Sequence, residues 1–86
     1  MDYQQLISTI VHGRSDANIS FTSLRRLLVH LQFEERVRGS HHIFNRTGIV
    51  EIINLQPKGA LAKPYQIKQV RTLILKYKLG ASNDPL

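Results

Sequence analysis

The fold turns on the stretch Glu34-Glu35-Arg36-Val37-Arg38-Gly39-Ser40-His41-His42-Ile43-Phe44-Asn45-Arg46-Thr47-Gly48-Ile49-Val50-Glu51-Ile52-Ile53-Asn54-Leu55. Gly39-Ser40 and Thr47-Gly48 are turn signals that cut it into three segments. Glu34 to Arg38 is short and partly alternating, which suits an edge strand. His41 to Arg46 reads as a second strand. Ile49 to Leu55 is dense in β-branched residues and reads as the third and strongest. Three strands joined by two-residue turns make an antiparallel meander.

Working outward toward the N-terminus, Ser20 is a good N-cap. Phe21, Leu24, Leu27, Leu28 and Leu31 follow it as one apolar helical stripe, ending near Gln32-Phe33. A shorter helix is predicted from Tyr3 to His12, with Leu6, Ile7 and Ile10 inward, and Gly13 stops it. On the other side, a loop over 56–63 is punctuated by Pro57 and Gly59. Pro64 suits a first helical position, where its missing N–H would be unpaired anyway. Ile67, Val70, Leu73, Ile74 and Tyr77 give the last helix its apolar side, and Lys68, Arg71, Lys76 and Lys78 take the flanks. Gly80 is the expected stop, with a tail from 81 to 86. The predicted order is α-α-β-β-β-α, an α+β class: a three-stranded antiparallel sheet with helices on one face, in a single domain over 1–80. The other sheet face is left to water or a ligand.

A chain of 86 residues allows one small domain. Having no cysteine, it can be neither a disulfide scaffold nor a zinc finger nor a thiol enzyme. No apolar run approaches the roughly 18 residues of a membrane span. The first residues lack the basic n-region and small-residue cleavage pattern of a signal peptide, so a soluble cytoplasmic protein is expected. The net charge of +6 is unevenly placed. Residues 1–35 hold three basic and four acidic residues, whereas residues 36–86 hold nine basic and two acidic. A second half at +7 is an electrostatic footprint for a polyanion such as nucleic acid.

The chemistry-bearing residues are few. There is no glycine-rich phosphate loop and no His-Glu-x-x-His pair. Of the four histidines, His12 and His30 lie at predicted helix ends, so no metal site is expected. Arg36-Val37-Arg38-Gly39-Ser40-His41-His42 brings cations, a tight turn and an imidazole together. An imidazole with a pKa of about 6.5 can take and give protons near neutrality. RNA cleavage needs a base for the 2′-hydroxyl, an acid for the leaving 5′-oxygen, and cations for the phosphorane charge, with no cofactor. Adjacent strand residues point to opposite faces, so at most one of His41 and His42 serves a given face, and periodicity does not choose. Arg36, Arg38, Lys58 and Lys63 taken singly read as solvated charges. As a set they would surround the Gly39-Ser40-His41 turn and support RNA binding.

Two segments resemble the HicA mRNA interferase toxins of bacterial type II toxin–antitoxin systems. One is Phe33-Glu34-Glu35-Arg36-Val37-Arg38-Gly39-Ser40-His41-His42-Ile43-Phe44, a helix end, a strand, Gly-Ser-His and an aromatic three residues on. The other is the basic helix Lys68-Gln69-Val70-Arg71-Thr72-Leu73-Ile74-Leu75-Lys76. The likeness runs from about residue 21 to 79. It implies a double-stranded-RNA-binding-domain-like fold and endoribonuclease activity without metal or cofactor. It makes His41 the catalytic residue, mRNA the substrate and a HicB-type antitoxin the partner. Gly39 would let backbone approach the phosphate, and Ser40 would orient the histidine or donate to phosphate. The chain departs from the pattern at Asn54-Leu55-Gln56-Pro57-Lys58-Gly59, where many relatives carry Pro-x-His, so a second catalytic histidine is missing there. Segment 1–18 is an addition, expected either to pack on the core or to meet a partner. The competing expectation is a non-catalytic RNA- or DNA-binding module on the same fold, which would depend on the cations and not on His41.

Overall fold

Each helix begins where a side chain can accept an otherwise unpaired N–H. The structure, a computed structural model, describes residues 2–81, so the expected tail lies outside the described residues beyond Ala81. In α1 (Tyr3–His12) the Asp2 carboxylate accepts from the Gln5 N–H at 3.1 Å. In α2 (Phe21–His30) the Ser20 hydroxyl accepts from the Ser23 N–H at 3.3 Å, as its sequence position predicts. In α3 (Pro64–Tyr77) Pro64 opens the helix, and the Gln66 side-chain oxygen accepts from the Lys63 N–H at 3.1 Å.

The element order is α1, α2, β1 (Glu34–Arg38), β2 (His41–Asn45), β3 (Ile53–Leu55) and α3, an α+β fold with a three-stranded antiparallel sheet in the order β1-β2-β3. Cross-strand register assigns the two faces. Glu35 lies opposite Phe44, Val37 opposite His42, His42 opposite Leu55 and Phe44 opposite Ile53, and all of these share the inner face. Phe44, Ile53 and Leu55 from that face join Ile10, Leu24, Leu27, Leu28, Ile67 and Val70 of the helices in one buried cluster. Truncating Phe44 there would cost about 3–5 kcal/mol, since the void could refill only in part. Glu34, Arg36, Arg38, His41, Ile43, Asn45 and Asn54 share the opposite, open face.

Segment 1–18 packs on the core. Ile10 is fully buried, and the α1 end is tied to α3 by Arg71, whose Nε donates to the Ile10 carbonyl at 2.6 Å and whose Nη2 pairs with Asp16. Two boundaries differ from the sequence expectation. The last helix ends at Tyr77, before Gly80: Lys78 takes the left-handed conformation at φ +54°, and buried Leu79 turns back with its N–H on the Ile74 carbonyl. The third strand spans only Ile53–Leu55 and not Ile49–Leu55. At Thr47-Gly48 the Ile49 N–H donates to the Arg46 carbonyl at 3.0 Å, with Gly48 at φ +91° in the second central position. That is the order of a type II turn, whose twist splays strands instead of continuing their ladder. Glu51 then faces α3, accepting from Lys76 Nζ at 2.7 Å and from the Tyr77 hydroxyl at 2.6 Å. Val50 is left 88% exposed and Ile52 62% exposed. No helix among the described residues is long and apolar enough to cross a membrane.

Candidate active site

The turn between β1 and β2 has the opposite order. Gly39 holds the first central position at φ +59° and Ser40 the second, the type II′ order whose twist matches the flanking strands. The ladder therefore stays paired up to Arg38 opposite His41. Directly opposed residues of such a pair bring their Cβ atoms to roughly 4.5–5.5 Å, so an arginine stands across from the His41 ring on the open face. Nothing lies within 4 Å of where a Cβ on Gly39 would be, which leaves that side of the turn open.

His41 is exposed, and its Nδ1 lies 3.1 Å from the Asn54 side-chain oxygen. A carbonyl oxygen accepts only, so Nδ1 carries the hydrogen. The neutral ring then keeps its lone pair on Nε2, toward solvent. Ser40 is held from the other side. Gln56 Nε2 donates to its hydroxyl at 3.1 Å, and the Gln56 carbonyl accepts from Gln66 Nε2 at 3.1 Å. Gln66 is fully buried, and its amide oxygen caps α3. A chain of hydrogen bonds thus runs from the helix start through the 56–63 loop to the turn beside His41.

His42 has the other fate. Its ring lies on the inner face, edge-on to Phe21 at 4.9 Å between centroids, and its Nδ1 donates to Glu35 at 2.8 Å. Arg25 Nε donates to the same carboxylate oxygen at 2.7 Å. Burial of Glu35 raises its pKa, but the hydrogen bonds from Arg25 and His42 outweigh that and leave it below the usual value. The register thus separates the two histidines, one to each face, as strand alternation requires.

The other candidates from the sequence fall into two groups. Arg36 and Arg38 are exposed on the His41 face, and Gly39 and Ser40 form the turn itself. Lys58 and Lys63 lie on the loop that Gln56 fastens to Ser40. Lys58 sits in a tight turn closed by its backbone pairing with Leu61, and Lys63 caps α3; neither hydrogen-bonds to His41. Asn54, Gln56 and Gln66 were not singled out by sequence reasoning. Only Asn54 left a signal, as the polar residue between the inward pair Ile53 and Leu55. His12 and His30 lie elsewhere, His12 on the Ser8 carbonyl at 2.7 Å and His30 stacked on Tyr3 at 4.1 Å. Among the described residues no group of three His, Asp or Glu side chains is arranged to hold a metal ion. Comparison with protein-family models, curated proteins and solved structures finds no match to the chain.

Proposed function

We propose that the chain is a cytoplasmic endoribonuclease of the HicA mRNA interferase type, the toxin of a type II toxin–antitoxin pair held in check by a HicB-type antitoxin. The observation that carries this reading is His41: exposed on the open face, oriented through Nδ1 by Asn54 and facing Arg38 across the ladder. His42, one residue on, is occupied by Glu35.

In this mechanism Nε2 of His41 takes the 2′-hydroxyl proton of a bound RNA. The 2′-oxygen bonds to phosphorus, the P–O5′ bond breaks and a 2′,3′-cyclic phosphate forms. The 5′-oxygen leaves as a hydroxyl with a proton drawn from solvent, because no second imidazole shares the face. Arg38 stabilises the charge gathering on the non-bridging oxygens, and Arg36, exposed Lys58 and half-buried Lys63 add positive charge for RNA binding. No residue in this scheme calls for a metal or a cofactor.

The test is induced expression of wild type, His41→Ala and His42→Ala, scoring growth and RNA integrity, with the purified proteins assayed in chelator. Growth arrest and cleavage should vanish in His41→Ala while salt-sensitive RNA binding persists. Wild-type cleavage by His41→Ala would defeat the assignment. Tight RNA binding with no cleavage by any form would instead support the non-catalytic binding module.

A further inference from the structure

Two residues along the sheet from His41 lies a cleft that the cleavage chemistry leaves unused. It is lined by Glu34, Arg36, Ile43, Asn45 and Ile52, and its volume is about 390 Å³, in the range of roughly 300–1,000 Å³ typical of small-ligand sites. Glu34 faces Asn45 and Arg36 faces Ile43 across the β1–β2 ladder. Ile43 follows His41 by two residues on the same face, and Arg36 precedes Arg38 by two. One such step is about 7 Å, a spacing that a base attached next to the reacting ribose can bridge.

The lining is specific in kind. Ile43 and the protruding Ile52 offer an apolar surface against which a flat ring can lie. The rim carries an acceptor-only carboxylate, a donor-only guanidinium and an amide that does both. Among the described residues the side chains of Glu34, Arg36 and Asn45 make no hydrogen bond or ion pair, their backbones alone being paired in the ladder. Glu34 is the telling member. A carboxylate with no ion-pair partner, on a face whose other charges are Arg36 and Arg38, repels the RNA backbone and suits a group that donates.

We propose that this cleft is a nucleobase subsite selective for guanine, a proposal that rests on the ribonuclease reading above. Of the four RNA bases only guanine places two neighbouring N–H donors, N1–H and the 2-amino group, on one edge for a carboxylate to take together. It also carries two acceptors, O6 and N7, for a guanidinium. Glu34 and Arg36, about 7 Å apart on one strand face, bracket those two edges. Asn45, opposite Glu34, adds a donor for O6 or an acceptor for the amino group. Adenine and cytosine each present one amino group beside an acceptor to the Glu34 carboxylate, and uracil one imino group between two acceptors.

The test measures binding, so it does not depend on cleavage. Fluorescence anisotropy at low salt would compare the His41→Ala protein on short oligouridylates carrying one central guanosine, adenosine, cytidine or inosine. Guanosine should bind about tenfold tighter than the others, and inosine, which lacks the 2-amino group, should lose most of that gain. Adding Glu34→Gln should erase the guanosine preference. Equal affinity for every oligonucleotide, or a guanosine preference untouched by Glu34→Gln, overturns the subsite. If none of them binds, the subsite and the ribonuclease reading fall together. Guanosine-selective binding by a protein whose wild type cuts no RNA keeps the subsite and removes only the catalysis.

Discussion

The two turns that bound β2 use nearly the same residues in opposite order, Gly39-Ser40 before it and Thr47-Gly48 after it. With glycine first, the ladder closes and stays paired to its last residues, Arg38 and His41. With glycine second, the strands splay, and pairing resumes only at Phe44 and Ile53. The consequence is a difference in what each end presents. The tight end presents a histidine in a fixed register with an arginine, and the splayed end frees Glu51 for α3 and Ile52 for the open face. Which central position holds the glycine decides whether the flanking strands stay paired or part.

The sharpest way to break this comparison is at the first residues the tight turn presents. His41→Ala should remove cleavage altogether and leave stability within about 0.5 kcal/mol, as for an exposed position. His42→Ala should keep cleavage but destabilise by about 1–3 kcal/mol, because Glu35 loses a hydrogen-bond donor while partly buried; parallel RNA-cleavage assays and urea denaturation would read both. Next comes the turn order itself. Exchanging the two residues of the tight turn, Gly39→Ser together with Ser40→Gly, forces a side chain into the left-handed region and should cost about 1–2 kcal/mol. It should also cost about 100-fold in cleavage, the penalty of a reacting group displaced by about 1 Å. The equivalent exchange at Thr47 and Gly48 should leave cleavage within about threefold while costing about 1–2 kcal/mol, so similar effects on cleavage at the two sites would dissolve the contrast.

A smaller effect is expected at Asn54. Asn54→Ala should lower kcat by about tenfold, with KM little changed, by releasing the ring to the other tautomer. The ¹⁵N shifts of His41 should show Nδ1 losing its hydrogen in part, and a histidine whose tautomer does not respond would show that Asn54 positions nothing. The smallest effect concerns the splayed side. Hydrogen bonds from Lys76 and Tyr77 lower the Glu51 pKa from 4.5 to about 2. A carboxylate with a depressed folded-state pKa contributes stability that is complete above its ordinary range and fades as pH falls toward 2. Glu35 is shifted the same way and adds to that loss. Glu51→Gln should flatten the acid limb between about pH 4.5 and 2 in pH-dependent denaturation, without altering cleavage near neutrality.

The helices were legible in the sequence because their causes are local. Ser20 caps α2 from the adjacent residue, the stripe from Phe21 to Leu31 repeats at helical spacing, and Pro64 opens α3. The extent of β3 was not legible. The run Ile49-Val50-Glu51-Ile52 reports a preference for extended backbone, whereas pairing depended on the twist of a turn and on a carboxylate captured by residues 25 and 26 positions away. The same limit applies to the candidate site. Gly39-Ser40-His41 could be read from the chain, but the choice between His41 and His42 needed the register, and Asn54 became a partner only when β3 was laid beside β2.

Arg71 reaches 61 positions back along the chain to hold the last turn of α1. A helix clasped by a residue so far along the chain is secured only once α3 has been made. A truncation before residue 71 would therefore loosen α1 as well as remove α3, and amide exchange in α1 would register the loss.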